Sequence, residues 1–382
     1  MASRLYRTTQ PLFLAIEAVL LRLGVAQLGS PTLVGLITLT VTGLVLFDGR
    51  PTQTRVATAL PARAHDALNR LGRTMPFSSR AVARLLRAFV VTLGQEGYLS
   101  LDDVIVEKAF AKKLPWAAWT YSFAKKRKVY GLHIVLLVWC SDDGHWRIPV
   151  AWRIQRPKRA TTSQAYKTRV EVAAALVREV LTDRLPVRYL VFDGGYTAGW
   201  FTKWLTGVGL NWQGTLDPRT VVVYGGVKQS VDQLAGSLPL KWRAPWRVRA
   251  VAVTVYAPTY GQVRLVLVKN RHGNREYLVS NVLTADLSSL LQAKRSRWPV
   301  ETLFRDTKQA AGLEKCQCWS DGAWVRHVSL VMLSFVVLQL LRTTPHESVG
   351  AVKTRWQLQV WQNGELPPEP LRTCPPDLRV TA

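Results

Sequence analysis

Apolar and polar positions follow two rhythms along this chain. Up to residue 95 the apolar residues recur at helical spacing, in LFLAIEAVLLRL and in SSRAVARLLRAFVVTL, with a turn expected between them at GRPTQTR. One stretch breaks that rhythm: Pro31 to Phe47, PTLVGLITLTVTGLVLF, runs for 17 residues without a charge. That is the lower limit for a membrane span. Its four threonines and two glycines, and the Asp48 that follows at once, favour a core helix instead. From Tyr98 the pattern becomes strand-like. YLSLDDVIV reads as a short strand ending at its acids, KVYGLHIVLLVWC as a central strand, and HWRIPVAWRIQ as a third strand after the turn SDDG. SQAYKTRVEVAAALVREVLTD reads as an amphipathic helix, VRYLVFDGG as a buried strand closing on Asp193, TAGWFTKWLTG as a helix and NWQGTLD as a strand.

Three meandering strands followed by a β-α-β alternation predict an α/β fold, a mixed sheet covered by helices. TVVVYGG, WRVRAVAVTVYA, QVRLVLVKN and EYLVSNV add strands over 215–285. Helices resume with SRWPVETLFRDTKQAAGL, where Pro299 suits a first helical turn and Val300, Phe304, Thr307 and Ala311 form the buried stripe. VSLVMLSFVVLQLL, Val328 to Leu341, is too short to cross a membrane and is expected to be a buried helix. The expected organisation is an N-terminal helical DNA-binding domain over 1–95, a core in two parts over 96–214 and 286–345, a β-rich insertion over 215–285, and a C-terminal tail over 346–382. The tail's end, ELPPEPLRTCPPDLRVTA, is proline-rich and expected to be disordered. No internal repeat is visible.

Charge narrows the partner. The 382 residues carry 51 basic and 25 acidic side chains, a net of +26. A folded surface so charged repels itself, which implies a polyanion, with nucleic acid ahead of a membrane surface. Residues 1–95 hold eleven arginines, no lysine and three acids, although no helix-turn-helix signature is clear. Four cysteines without a CxxC pair suggest neither a disulfide framework nor a zinc finger. The scattered histidines lack metal-ligand spacing. No secretory cleavage pattern follows the first apolar run, so a cytoplasmic protein is expected.

Four acidic residues at three places in the chain stand out against this basic frame. Asp102 and Asp103 share the first strand, Asp193 closes an apolar strand before Gly194 and Gly195, and Glu301 lies in the first turn of a helix. Each has an ordinary explanation: a solvated strand end, a turn or N-cap, a carboxylate complementing the helix dipole. Together they match a divalent-metal phosphoryl-transfer site. Buried carboxylates need a cation, and hard ions such as Mg2+ take carboxylate oxygens.

With these residues the chain resembles the DDE transposases of bacterial insertion sequences. It looks closest to the group with a β-rich insertion between the second aspartate and the glutamate. That group carries the signature Tyr, two residues, Arg, three residues, Glu, six residues, Lys. Counted from Glu301, the Arg and Lys positions hold Arg297 and Lys308, while the Tyr position holds Lys294. The resemblance covers about 96–345. It implies a ribonuclease-H-like core, with Asp103, Asp193 and Glu301 as catalytic residues and metal ligands; Asp102 is the alternative to Asp103. It further implies Mg2+, two ions, with Mn2+ as a substitute, and a homodimer on double-stranded DNA, with no membrane. The location would be cytoplasmic, at a prokaryotic nucleoid. The implied activity is binding of terminal inverted repeats, cleavage at the element ends, and joining of the 3′-OH ends to target DNA. The alternatives are a ribonuclease-H-like nuclease without strand transfer and a DNA-binding protein that has lost catalysis.

Spacing agrees. Asp103 and Asp193 lie 90 positions apart, and Asp193 and Glu301 lie 108 apart, leaving room for an insertion. Residues 110–170 carry thirteen Lys and Arg against two acids. Lys125, Lys126, Arg127, Lys128, Arg156, Lys158 and Arg159 are the expected phosphate contacts there. In KWRAPWRVR of the insertion, Trp242, Arg243 and Trp246 are expected to contact backbone or stack on an unpaired base, with a core position the equal alternative for either Trp. Lys294, Arg297, Arg305 and Lys308 are expected to meet phosphates near the scissile bond, with pairing to Glu301 at i,i+4 the alternative for Arg305.

Overall fold

The computed structural model describes residues 2–48, 56–57, 65–73, 77–111, 113–122 and 125–363. The turn expected at 49–55 and the proline-rich end at 365–382 lie outside them. The chain divides into two compact units, with residues 1–76, 306–318 and 330–382 in one and residues 77–305 and 319–329 in the other.

The larger unit is built on a mixed sheet. Helix α4 (Ser79–Thr92) precedes β1 (Gly97–Glu107), β2 (Ala118–Ser122), β3 (Arg127–Ser141) and β4 (Arg147–Ile154). Then come α5 (Arg169–Thr182), β5 (Val187–Phe192), α6 (Gly199–Gly207) and β6 (Asn211–Thr215). The strands β4-β3-β1-β5-β6 are neighbours in that order. β3 is antiparallel to both β4 and β1, while β1, β5 and β6 run parallel. This is a ribonuclease-H-like arrangement of helices on a mixed sheet, as the pattern of elements predicts. Leu132 and the run from Ile134 to Cys140 on β3 are fully buried, because a central strand with both faces covered needs apolar side chains at every position.

β1 does not stop at its acids. Asp102 and Asp103 are the sixth and seventh of its eleven residues, and pairing with β3 continues to Glu107 opposite Gly131. The acids therefore lie within the sheet rather than at a strand end.

The extra strands are β7 (Val221–Tyr224), β8 (Val227–Ser230), β9 (Lys241–Arg243), β10 (Val248–Ala257), β11 (Gly261–Asn270) and β12 (Arg275–Ser280), with α7 (Val231–Ser237) between β8 and β9. They extend the core sheet. β12 pairs antiparallel with β6, Leu278 opposite Thr215, and β11, β10, β7 and β8 follow outward. Helix α8 (Leu287–Arg295) packs Leu290 and Leu291 against Ala250, Val266, Val268 and Leu278. Helix α9 (Trp298–Gln309) follows, with Val300, Phe304 and Thr307 buried as its periodicity predicts.

The smaller unit contains α1 (Ala2–Arg22), α2 (Pro31–Leu46), α3 (His65–Arg73) and α11 (Val349–Asn363). α2 is the expected core helix: Leu36, Ile37 and Val41 are fully buried, and Ser30 caps its N-terminus by accepting from Leu33 N–H. Its C-terminal carbonyls are met by Lys353, whose buried ammonium donates to Phe47 O (3.2 Å) and Ala310 O (3.0 Å) and pairs with Asp48 at 3.1 Å. Gln357 donates to Leu46 O at 2.9 Å.

Three expected boundaries shift. α4 packs on β4, so it groups with the sheet although it falls within 1–95. Residues 306–318 group with the helical unit, not with the core. The expected tail holds α11, because Val349, Val352 and Val360 recur at helical spacing and are buried. Helix α10 (Asp321–Leu340) begins earlier than its apolar run and reaches 20 residues, a length that could cross a membrane; 78% of its apolar window is buried inside the protein.

Candidate active site

Adjacent residues of a strand point to opposite faces, so Asp102 and Asp103 lead into different environments. Asp103 is saturated. Its Oδ1 accepts from Tyr196 Oη at 2.7 Å and from Arg169 Nη1 at 2.9 Å, and its Oδ2 is held by His133 Nε2. Burial works against its ionisation, but His133, Tyr196 and Arg169 outweigh it and hold the carboxyl down at about 2. Arg169 opens α5, where Thr168 and Glu171 form a capping box that fixes the helix start. Its guanidinium also faces Asp193 electrostatically and is half exposed.

Asp102 has the opposite character. Its Oδ1 accepts from the Asp103 N–H at 2.8 Å, and Arg297 Nη1 stands 3.7 Å from Oδ2. Burial and the charges of Asp193 and Asp103 push its carboxyl up to about 7, against the weaker pull of Arg297. Arg297 also reaches Glu301 at 2.5 Å, one turn along α9, so one guanidinium joins Asp102 to Glu301. Asp193 lies after β5 and caps the short turn at Gly194–Tyr196, accepting from Gly195 N–H at 2.9 Å. Burial and the Asp103 charge raise its pKa too.

Two carboxylates with raised pKa, close enough to repel each other, form an under-neutralised anionic centre. Its oxygen donors suit a hard divalent ion in kind and in charge. As they stand, no three acidic, His or Cys side chains converge on one point among the described residues.

The basic residues fall into distinct groups. Lys125 and Arg127 both pair with Glu107, the latter at 3.0 Å, while Lys126 and Lys128 lie exposed. Arg156 stacks on Trp116 (4.8 Å) and Lys158 on Tyr166 (5.3 Å). Arg159 is consumed internally: it donates to the Ala117 carbonyl and to Tyr130 Oη at 2.8 Å, so its guanidinium braces a turn instead of facing a phosphate. Lys294 pairs with Glu276. Arg305 is exposed on α9. Lys308 belongs to the smaller unit and pairs with Glu314 at 3.0 Å. Trp246 packs beside the Leu290–Leu291 cluster under Arg295 (4.3 Å), a core role. Trp242 is half exposed beside exposed Arg243, and with Arg249, Lys269, Arg271 and Arg275 it lines a cleft of about 590 Å³. His133, Arg169 and Tyr196 were missed by sequence reasoning. Tyr196 follows Asp193 by three positions, and Arg169 sits inside the T-x-x-E pattern of the capping box; those were the available signals.

A family model described as DDE superfamily endonuclease matches residues 26–272. The chain belongs to this family. The match includes Asp102, Asp103 and Asp193 and ends before Glu301. No curated protein matches the chain. As a DDE superfamily endonuclease it is a nuclease-type enzyme whose substrate is DNA, and domains of this type use divalent metals.

Proposed function

We propose that this DDE endonuclease is an insertion-sequence transposase. It binds the terminal inverted repeats of its element, cleaves at the ends and joins the 3′-OH ends to target DNA. The observation that carries this reading is the mutually repelling pair Asp102 and Asp193, from β1 and the end of β5, with Arg297 joining Asp102 to Glu301 of α9. Asp102 replaces Asp103 in the expected triad. Asp103 spends its oxygens on three donors, whereas Asp102 faces both Arg297 and the charge of Asp193.

Asp102, Asp193 and Glu301 would hold divalent ions, two Mg2+ with Mn2+ as a substitute. When bound, such ions supply Lewis-acid activation of the attacking oxygen and charge neutralisation at the leaving oxygen. The chain's own side chains do the rest. Arg297 orients Asp102 and Glu301. Asp103 fixes Arg169 beside Asp193, where its exposed guanidinium edge suits a non-bridging phosphate oxygen. Exposed cations outside the centre neutralise the DNA backbone, and two protomers act on paired ends in a bacterial cytoplasm.

The test uses the intact protein with a duplex carrying the element end and a separate target duplex. Wild type is expected to give cut and joined products with Mg2+. Glu301→Ala is expected to abolish both while end binding by mobility shift persists. Cut but never joined products would reduce the activity to a nuclease, and normal cleavage by Glu301→Ala would remove Glu301 from the site.

A further inference from the structure

We infer that the outer face of the β2–β3 ribbon is a stacking site for unpaired DNA bases. β1 accompanies β3 only as far as Gly131, opposite Glu107. Beyond it the Lys108 N–H still reaches the Tyr130 carbonyl at 2.7 Å, and the ladder continues with β2, through Trp119–Tyr130, Thr120–Val129, Tyr121–Lys128 and Ser122–Arg127. β4 pairs with β3 only from Ile134 onward, so this ribbon projects past the rest of the sheet.

Residues opposite each other across two strands share a face. Trp119, Tyr121, Lys128 and Tyr130 therefore form one strip. Tyr130 is buried at its base, held by the Arg159 hydrogen bond and by an edge contact from the Trp119 ring at 5.6 Å. Trp119 is 70% exposed and Tyr121 47%. A Trp so exposed loses most of the stabilisation that burying it would bring. Lys126 and Lys128 show no ion pair among the described residues, and the segment 110–170 has a net charge of +11.

Charge complementarity selects a polyanion, and the exposed indole of Trp119 beside the half-exposed Tyr121 selects its form. In a duplex the base faces are hidden, and an indole has nothing to stack on. In a single strand every base offers a π face, and successive bases lie on aromatic side chains while cations track the backbone. The occupant is therefore unpaired DNA, such as a strand freed when a duplex end opens. This goes beyond the proposed function but rests on its premise that DNA is the substrate.

The test is fluorescence anisotropy with labelled oligo-dT and, in parallel, with a blunt duplex of the same length, on the full chain. Trp119→Ala and Tyr121→Ala are each expected to weaken oligo-dT binding about tenfold, and the double variant by about a hundredfold. Duplex binding should change by less than about threefold, because phosphate contacts persist. Trp119→Phe is expected to retain most of the affinity, which separates stacking from misfolding. Oligo-dT affinity unchanged in the double variant overturns the inference. Equal losses for duplex and single strand also overturn it, in favour of a general duplex contact. Absence of binding to either DNA by wild type would instead undo the proposed function itself.

Discussion

Replacing Asp102 by Asn should make the metal-free protein more stable while silencing it. The carboxyl is raised from 3.8 to about 7 by burial and by the charges of Asp193 and Asp103. The sign follows from linkage: the folded state holds this proton more tightly than the unfolded state, so ionisation costs folding free energy. That cost is absent below the unfolded value, accumulates as pH rises from about 4 to about 7, and is constant above. A shift of roughly three units sets an upper bound of about 4 kcal/mol. Side-chain relaxation and the coupling with Asp193 reduce this to about 1–2 kcal/mol, since neutralising Asp102 also relieves Asp193. Asparagine keeps the Oδ1 that accepts the Asp103 N–H at 2.8 Å, so the strand geometry has no reason to change. The assay is urea unfolding of wild type and Asp102→Asn in EDTA, followed by circular dichroism across about pH 4.5 to 8. The variant's midpoint should lie above wild type near pH 8, with the advantage shrinking towards pH 4.5. A divalent ion should raise the wild-type midpoint and leave the variant's nearly unchanged, because only the intact centre gains binding free energy. A variant less stable near pH 8, or an advantage independent of pH, would show that ionised Asp102 does not burden the fold.

Two further outcomes are expected. Arg169→Gln should lower the cleavage rate by about a hundredfold with a smaller effect on KM, as for loss of one preorganised donor; if Asp103→Asn/Arg169→Gln recovers wild-type cleavage, Arg169 serves only to neutralise Asp103. Lys353→Met should destabilise the helical unit by about 2–4 kcal/mol, read by chemical denaturation, since it orphans the Phe47 and Ala310 carbonyls and strands Asp48; an unchanged midpoint would show those carbonyls to be met by water.

The elements were legible where one physical signal dominated. The β3 run of Ile134–Cys140 and the stripe of α9 announce themselves because burial demands apolar residues at a fixed period. The attachment of the extra strands was not legible. Leu278 pairs with Thr215 across more than sixty residues that hold five other strands and a helix, and nothing local encodes a partner that distant. α11 was hidden by the proline-rich segment after it, although Val349, Val352 and Val360 carried the period.

The acid pair shows where such reasoning stops. On a half-buried strand the polar alternation would reveal which of two adjacent acids faces the core. β1 is central, and the five residues from Gly97 to Leu101 are all buried, so alternation carries no phase information. What separates Asp102 from Asp103 is what the rest of the fold brings to each: Arg297 from α9 to one, His133, Arg169 and Tyr196 to the other. The two neighbours then divide the work by charge. Asp103 is stably ionised and holds Arg169 in place. Asp102 is kept under-compensated, and that imbalance is the binding energy a cation would recover. A site built this way must be less stable empty than filled, so the stability gained by Asp102→Asn and the activity lost with it have one origin.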